Sequence, residues 1–224
     1  YRIMDVTITP VVLGSVVCKF MLPMEIIDEI NTSYDECRNQ LTPFNTELAG
    51  KIKEEHLVND VLSESTKMAF VNCFAEYIRH IQKPFWGLSL ANAWINEMKA
   101  GEYNPLHYHS SPQSDLGMSS VLVLKTPSTY GEEFSNPQDP SNGYLEFTGG
   151  NQDPLGISNW RTNAQVGDFY VFPYTMLHCV YPFNGTDEVR RTLSQNCDLL
   201  KLTSNIKNMA KSVERLDSVI SEEK

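Results

Sequence analysis

The sequence has little positive charge and no long apolar segment. It carries 18 lysines and arginines against 28 aspartates and glutamates, a formal net charge of −10, and its basic residues are not clustered. Proteins that bind nucleic acids neutralise phosphates with a basic face, so this composition predicts no nucleic-acid partner. No stretch approaches the roughly 20 apolar residues that a transmembrane helix needs, so the sequence predicts no membrane partner either.

Cysteine is also scarce, and it follows no metal-binding or disulfide pattern. The five cysteines are widely spaced, are odd in number and include no C-x-x-C pair. Such usage is typical of free thiols in a reducing compartment, and it argues against a disulfide framework or a zinc knuckle. The sequence therefore predicts a cytoplasmic location.

Strand and helix periodicities follow one another along the chain. Residues 5–21 are rich in β-branched side chains and predict two strands. Apolar residues recur at helical spacing after Pro23, and a second helical region is predicted from about Glu54 to Ile81. Residues 203–224 predict an amphipathic helix that either docks on its own domain or joins two copies in a homodimer. Its apolar residues, at alternating spacings of three and four, are Ile206, Met209, Val213, Leu216 and Ile220.

From Trp86 onward the apolar period changes to two, which predicts a series of short strands. Many short strands after helices are typical of a barrel or sandwich with helices on one face. We therefore expect an α+β, mainly β domain over residues 1–202. Within it, 1–85 supply the first strands and supporting helices and 86–202 carry the core motifs, with a long loop at 127–160. The predicted strands are 88–98, 104–110, 118–125, 143–148, 167–173, 177–182 and 188–200.

Two histidines flank one tyrosine in the stretch NPLHYHSSPQSD. His107 and His109 are two positions apart, so both side chains point to the same side of an extended strand. A third histidine, His178, lies on a later predicted strand, within VGDFYVFPYTMLHCVYPF. Three imidazoles, or two plus a carboxylate, can hold one side of a divalent metal and leave the opposite positions open, as in non-haem iron sites. The sequence therefore predicts a metal centre at these histidines.

An arginine and a hydroxyl residue stand two positions apart in the stretch VRRTLSQN. Arg190 and Thr192 share one face of the predicted strand, and a guanidinium beside a hydroxyl is suited to binding a carboxylate. The turn between His178 and Arg190 would place the two strands side by side, so that the anion site adjoins the metal. The alternative is that Arg190 forms a surface ion pair with Asp187 or Glu188.

In this order the motifs resemble those of the 2-oxoglutarate- and Fe(II)-dependent oxygenases. They are closest to the H-x-H-type oxygenases of bacteria and marine phages, and the resemblance covers roughly residues 86–200. Those proteins carry W-x-N, H-x-H and S-G-V-x-Y-L, followed by H-x-V-x-P and R-x-S-x-S-F-N. The residues in the corresponding places here are Trp94, Asn96, His107, His109, Ser119, Ser120, Val121, His178, Val180, Pro182, Arg190, Thr192, Ser194 and Asn196.

The resemblance implies a double-stranded β-helix (jelly-roll) core that binds Fe(II) and 2-oxoglutarate, with ascorbate as a further candidate cofactor. It implies that His107 and His178 ligate the iron. Arg190, helped by Thr192, would hold the distal carboxylate of 2-oxoglutarate, and Asn96 would contact this co-substrate. The implied reaction hydroxylates a substrate and releases succinate and CO2, in the cytoplasm of a bacterium or of a phage-infected host.

The chain departs from the family pattern at the third metal ligand. Most of the superfamily has Asp or Glu two residues after the first histidine, and His109 stands in that place here. Three interpretations are open: His109 completes a three-histidine site, water takes the third position beside two histidines, or Asp115 supplies a carboxylate. Strand alternation favours His109, because it already points to the side of His107.

Two other functions compete with the oxygenase interpretation. The first is a cupin-type metalloprotein, which needs no R-x-T clamp after the last histidine, so that a solvent-exposed Arg190 would favour it. The second is a jelly-roll binding module that has lost its metal, and the missing carboxylate is its one supporting feature. For an oxygenase, the loop at 127–160 would determine specificity, and its Asn, Asp and Gln content suits a small-molecule or peptide substrate.

Overall fold

A computed structural model of the chain describes residues 14–82, 86–111, 114, 116–134, 136–150 and 156–201. The helix expected over 203–224 lies outside these residues, so that this helix and the homodimer contact through it stay predictions. Of the two strands expected within 5–21, the described part contains one, Cys18–Met21.

The first helix, α1 (Met24–Cys37), begins directly after Pro23. Proline suits a helix start, because its fixed φ is compatible with the first turn and its missing N–H would find no partner there. The buried residues Ile27, Ile30 and Tyr34 are spaced by three and four, as the apolar pattern predicts. This face packs against the sheet described below.

The second helix, α2 (Glu64–His80), is shorter than predicted. Ser63 caps it, and its Oγ accepts a hydrogen bond from the backbone N–H of Thr66 at 3.1 Å. The prediction that the helix begins near Glu54 is wrong, because Glu54–Leu57 is a strand paired with residues 94–97. Pairing with a neighbouring strand overrides the local periodicity here. Among the described residues, no helix is both long and apolar enough to cross a membrane.

The described residues contain ten strands in two sheets, and every pairing is antiparallel. The strands are β1 (Cys18–Met21), β2 (Glu54–Leu57), β3 (Trp86–Met98), β4 (Asn104–His107), β5 (Gly117–Lys125), β6 (Leu145–Thr148), β7 (Asn159–Thr162), β8 (Asp168–Pro173), β9 (Leu177–Val180) and β10 (Arg190–Lys201). The larger sheet has the order β1-β8-β5-β10-β3-β2, and the smaller has the order β4-β9-β6-β7. The prediction that the strands of His178 and Arg190 lie side by side is wrong, because β9 and β10 belong to different sheets.

Alternate side chains of the larger sheet enter two separate apolar layers. On one face, residues such as Leu122 and Phe169 pack with the two helices. On the other face, Val121 and Phe172 pack with the smaller sheet, where the ring centroids of Phe172 and Phe147 are 5.0 Å apart. The two sheets therefore face each other, and the helices cover the outer face of the larger one.

The two α-helices and two antiparallel sheets of the described residues agree with the α+β, mainly β prediction in class, but the strand bounds differ in places. β7 lies partly within the segment 127–160 that the sequence predicts as a loop. This strand is polar and at most half-buried at a sheet edge, so it lacks the apolar alternation of an inner strand. The strand predicted at 104–110 ends at His107, which bears directly on the position of His109.

Candidate metal centre

Three histidines meet between the two sheets. His107 at the end of β4 and His178 on β9 are Cα partners across the antiparallel pair. His109 lies beyond the end of β4, and its backbone N–H donates a hydrogen bond to the carbonyl oxygen of Tyr174 at 2.9 Å. The three side chains each offer one nitrogen, and these nitrogens lie within 4.8 Å of one another, a grouping that could hold a metal ion.

Backbone carbonyls fix the tautomers of two of these rings. The Nδ1 atom of His107 lies 2.7 Å from the carbonyl oxygen of Pro105, and the Nδ1 atom of His178 lies 3.0 Å from that of Met176. A carbonyl oxygen only accepts hydrogen bonds, so each Nδ1 carries the proton and each Nε2 keeps its lone pair. Metal-binding histidines commonly use their second nitrogen in this way.

The nitrogen–nitrogen spacing also suits a metal. The Nε2 atoms of His109 and His178 are 3.1 Å apart. Imidazole nitrogens bind a first-row ion such as zinc at about 2.1 Å, and two such ligands at right angles stand about 3.0 Å apart. The two rings are therefore spaced as neighbouring ligands of one ion.

Burial keeps the imidazoles uncharged. Burial lowers the pKa of His178 to about 3, and the nearby His107 ring adds to this effect. Burial and the two neighbouring imidazoles together lower the pKa of His109 well below its usual value, and burial lowers that of His107 as well. Neutral imidazole is the form that ligates metals, so the cluster is ready to bind a cation near neutral pH.

Aromatic side chains surround the imidazoles. The ring centroid of His109 lies 5.8 Å from that of Trp94 and 6.0 Å from that of Phe172. His178 lies 4.7 Å from Phe172 and 6.0 Å from Phe147, measured between ring centroids. These contacts restrict the rings and limit the access of water on one side of the cluster.

Arg190, the first residue of β10, is 3% exposed. It forms a side-chain hydrogen bond with Tyr130, and Tyr170 is also close enough to affect its charge. Burial lowers the pKa of Arg190, and its Nη2 atom is buried without a hydrogen-bond partner among the described residues. The alternative of a surface ion pair with Asp187 or Glu188 does not fit this buried position.

Polar side chains continue from Arg190 along the same face of β10. Asn96 on β3 is the Cα partner of Thr192, and its Nδ2 lies 3.4 Å from both Thr192 Oγ1 and Ser194 Oγ. The Oδ1 atoms of Asn96 and Asn196 are buried and lack hydrogen-bond partners in the described part of the chain. Buried polar groups without partners are uncommon, so this row has unused capacity to bind a polar ligand.

A cleft of about 490 Å³ opens at the histidines. It reaches from the metal cluster to β2 and to the short helical turn at Asn45–Glu47. Arg190 does not line this cleft, whereas Asn196, at the other end of the polar row of β10, does. The lining residues are Phe44, Glu47, Leu48, Ala49, Glu55, Asn92, Trp94, Asn104, His107, Tyr108, His109, Ser110 and Asn196.

Sequence reasoning missed some residues of this region and leaves one outside it. Tyr130 lies in the predicted loop at 127–160, and nothing in the sequence signals that it meets Arg190. Glu55 lies in a segment predicted to be helical, so its place in the cleft could not be foreseen. Asp115, the proposed carboxylate alternative, lies outside the described residues.

The comparisons with known proteins point to one class of protein, the oxygenases. Residues 92–196 match the sequence model of the family described as "Putative 2OG-Fe(II) oxygenase". This segment contains the three histidines, Arg190 and Thr192. Through this segment, the chain is similar to the 2-oxoglutarate- and Fe(II)-dependent oxygenases. No curated protein sequence gives a significant match.

Solved structures of oxygenases share the fold at low identity. A prolyl-4-hydroxylase of Pseudomonas putida is 18% identical, with a TM-score of 0.51, and the match covers 81% of this chain and 91% of that one. A viral collagen prolyl hydroxylase from Paramecium bursaria Chlorella virus-1 is 12% identical, with a TM-score of 0.51 and coverages of 82% and 96%. A prolyl hydroxylase of Trichoplax adhaerens, solved with a peptide fragment, is 11% identical, with a TM-score of 0.54 and coverages of 81% and 83%.

The family assignment bears on the cofactors and on the competing functions. It implies Fe(II) and 2-oxoglutarate, and the comparisons give no support to ascorbate. The buried position of Arg190 also counts against the cupin alternative, which would gain from an exposed arginine.

Proposed function

We propose that the chain is an Fe(II)- and 2-oxoglutarate-dependent oxygenase that hydroxylates its substrate with release of succinate and CO2. The observation that carries this proposal is a cluster of three uncharged imidazoles together with a buried arginine that has an unused donor. Both belong to the segment that matches the family. In this proposal the two facing sheets form the jelly roll over residues 1–202.

The proposed iron ligands are the Nε2 atoms of His107 and His178, with His109 as the third. The tautomers of His107 and His178 leave the required lone pairs free, and the 3.1 Å spacing between His109 and His178 suits neighbouring ligands. Three neutral ligands leave the charge of Fe(II) uncompensated by protein. Compared with a site that has a carboxylate ligand, this site carries one negative charge fewer, so we expect it to retain Fe(II) less strongly.

The proposed clamp for 2-oxoglutarate consists of Arg190, Thr192 and Asn96. The free Nη2 of Arg190 can donate a charge-assisted hydrogen bond to the distal carboxylate, while Tyr130 holds the other side of the guanidinium. Thr192 and Asn96 contact each other on this face and present further polar atoms. Because Arg190 is buried, its interaction with a carboxylate would be little screened by water.

When bound, Fe(II) and 2-oxoglutarate supply the oxidative chemistry, in which one oxygen atom of O2 enters a substrate C–H bond and the other enters succinate. The chain contributes orientation and a dry environment. Trp94 and Phe172 shield the His109 ring, and the carbonyls of Pro105 and Met176 hold two imidazoles in fixed tautomers.

The proposed substrate is a small molecule or a peptide that enters through the cleft beside His107 and His109. The Trichoplax adhaerens structure with a peptide fragment offers a precedent among proteins of similar fold. The five cysteines are all free, which supports a reducing, cytoplasmic location in a bacterium or a phage-infected host.

The test is an anaerobic titration of the full chain with Fe(II) and 2-oxoglutarate, followed through the metal-to-ligand charge-transfer absorption. A band in the wild type that is lost in Arg190→Ala would support the site. Loss in His109→Ala would identify the third ligand as histidine, and loss in Asp115→Ala would identify it as a carboxylate. Bound iron without a band would instead favour a cupin-type protein.

A further inference from the structure

Glu55, on β2, is a buried carboxylate without a hydrogen-bond partner. Glu55 is 1% exposed, and neither Oε1 nor Oε2 of its carboxylate has a hydrogen-bond partner among the described residues. Leaving both oxygens unpaired in the interior is costly, because a buried carboxylate loses its hydration. Such a group calls for an explanation beyond packing.

Glu55 is among the residues that line the cleft beside His107 and His109. Gly50 allows this position, because a Cβ at residue 50 would lie 2.8 Å from Glu55 Oε1. The opposite residue on β3 is Asn96, a member of the proposed co-substrate clamp, so β2 adjoins the centre of the site. Glu55 is not part of the three-histidine cluster, which contains no carboxylate among the described residues.

The cleft has charges of one sign only. Among its lining residues, Glu47 and Glu55 are the ionisable acids, and neither lysine nor arginine lines it. The charge of the described residues that affects the pKa of Glu55 is also negative, that of Glu102. Glu102 itself is held by the backbone N–H groups of Lys53 and Lys99, at 3.2 and 2.9 Å. No cation of the described chain therefore neutralises Glu55.

Burial, and to a smaller extent the charge of Glu102, raise the pKa of Glu55 to about 7. A positive charge beside Glu55 would favour its ionised form and lower its pKa. The same low-dielectric position makes a hydrogen bond from a charged donor stronger than at the surface.

We propose that Glu55 binds a cationic nitrogen of the substrate, an ammonium or a guanidinium, within the cleft beside the histidines. This inference rests on the proposed oxygenase function and names its substrate class as a compound that carries a basic group, such as a lysine or arginine. The carboxylate fixes one end of the substrate, and the carbon chain extends along the cleft toward the metal. The same chemistry applies to a free amino acid and to a basic side chain in a peptide.

The experiment is isothermal titration calorimetry of the full chain, loaded anaerobically with Fe(II) and 2-oxoglutarate, against matched ligand pairs. Free lysine is compared with norleucine and free arginine with citrulline, and the tripeptides acetyl-Gly-Lys-Gly-amide and acetyl-Gly-norleucine-Gly-amide form a third pair. We expect at least one cationic ligand to bind about 10- to 100-fold more tightly than its neutral counterpart. Preference for the tripeptide over the free amino acid would identify a peptide substrate, and the reverse would identify a small molecule.

Two variants and one control assign the effect to Glu55. Glu55→Gln keeps the shape but removes the charge, and it should abolish the preference for cations. Gly50→Ala keeps the charge but places a methyl group where the carboxylate lies, and it should weaken cation binding as well. Glu47→Gln removes an equal charge from an exposed position in the same cleft and should retain the preference.

The pH dependence gives a second readout. Cation affinity of the wild type should rise from pH 6 to pH 8, with proton release on binding, and both effects should vanish in Glu55→Gln. Equal binding of charged and neutral ligands, or full preference in Glu55→Gln, would overturn the inference. The charge-transfer band separates the two proposals: a normal band without cation preference refutes only the role of Glu55. Cation preference without any band refutes only the oxygenase function.

Discussion

His107 and His178 are Cα partners across β4 and β9, and their ring centroids are 4.2 Å apart. The two imidazoles therefore meet through backbone pairing, not through long flexible side chains. Side chains alternate between the faces of a strand, so a shift of one residue in this pair would send one ring away from the other. The register of two four-residue strands thus fixes the relative position of two of the three imidazoles, while His109 lies beyond the end of β4.

Removal of His178 should strongly weaken the binding of Fe(II). His178→Ala should lower the affinity for Fe(II) by more than the roughly 10- to 100-fold that loss of an outer partner of a metal ligand costs. Anaerobic equilibrium dialysis with Fe(II) measures this change. His80→Ala, at an exposed position of α2, serves as the control and should bind iron normally. Unchanged affinity in His178→Ala would place the metal elsewhere.

Removal of the buried guanidinium should weaken 2-oxoglutarate binding without removing the metal. Arg190→Ala should lower the affinity for 2-oxoglutarate by about 10- to 100-fold, because it removes a hydrogen bond to a charged group, whose free energy corresponds to a change of this size. Arg190→Lys should recover part of this loss, because it keeps the charge but not the planar fork. Calorimetric titration of the Fe(II)-loaded chain measures both, and Arg79→Ala, at an exposed position of α2, is the control. Equal affinities in all four proteins would exclude Arg190 from the clamp.

The neighbouring arginine has a structural role that can be measured separately. Arg191 donates to Glu97 Oε2 at 2.8 and 3.1 Å, to Asp35 Oδ1 at 2.6 Å and to Asn31 Oδ1 at 3.0 Å. Arg191→Ala removes both hydrogen bonds to Glu97 Oε2 and leaves Arg38, 3.2 Å from Oε1, as the remaining ion-pair partner of Glu97. It should lower the free energy of unfolding by at most about 3–5 kcal/mol. Urea denaturation measures the loss. A loss below about 1 kcal/mol would show that the network contributes little.

The carboxyl of Glu55 should make stability depend on pH. Its folded-state pKa of about 7 lies above the ordinary value of 4.5, so the folded chain binds more protons than the unfolded chain between these values. Stability should therefore fall as pH rises from about 4.5 to 7, by roughly 3 kcal/mol at most. Comparison of urea denaturation for wild type and Glu55→Gln between pH 5 and pH 8 isolates this contribution. A constant difference between the two proteins would contradict the raised pKa.

The contacts of Phe169 with the aromatic rings of α2 should contribute strongly to the free energy of unfolding. Phe169 on β8 is fully buried, and its ring centroid lies 5.2 Å from Phe70 and 6.2 Å from Phe74 of α2. Phe169→Ala should cost about 3–5 kcal/mol of unfolding free energy, because it leaves a cavity that the packed helix cannot fill. Phe134→Ala, at an exposed position, should cost little and is the matched control. Similar midpoints in urea for both variants would refute this assignment.

The sequence predicts best where one local pattern determines the structure. The spacing of Ile27, Ile30 and Tyr34 predicts α1, and the apolar run from Phe169 to Phe172 predicts the buried strand β8. The same kind of reasoning brings His107 and His178 together, because each follows a recognisable strand or turn motif. These features depend on neighbours in sequence, which is why periodicity suffices to find them.

The sequence predicts poorly where distant contacts decide. Glu54–Leu57 is a strand only because β3 lies beside it, and no local signal distinguishes it from the start of a helix. Tyr130 reaches Arg190 from a loop, and the unpartnered state of Glu55 follows from the burial of a whole region. His109 reaches the cluster beyond the end of β4 through its backbone contact with Tyr174, so strand alternation alone does not account for its position.

Because side chains alternate along β10, its two adjacent arginines face opposite sides of the sheet, and their contacts depend on the register of the strand. Arg190 faces the proposed clamp and Arg191 faces the carboxylates under α1. A slip of one residue during folding would turn each side chain to the opposite face, so that Arg190 would leave the proposed clamp and Arg191 would leave Glu97 Oε2 and Asp35. A misaligned strand would thus lose both sets of contacts together. The charges of β10 therefore favour the correct register of the strand that is proposed to bind 2-oxoglutarate.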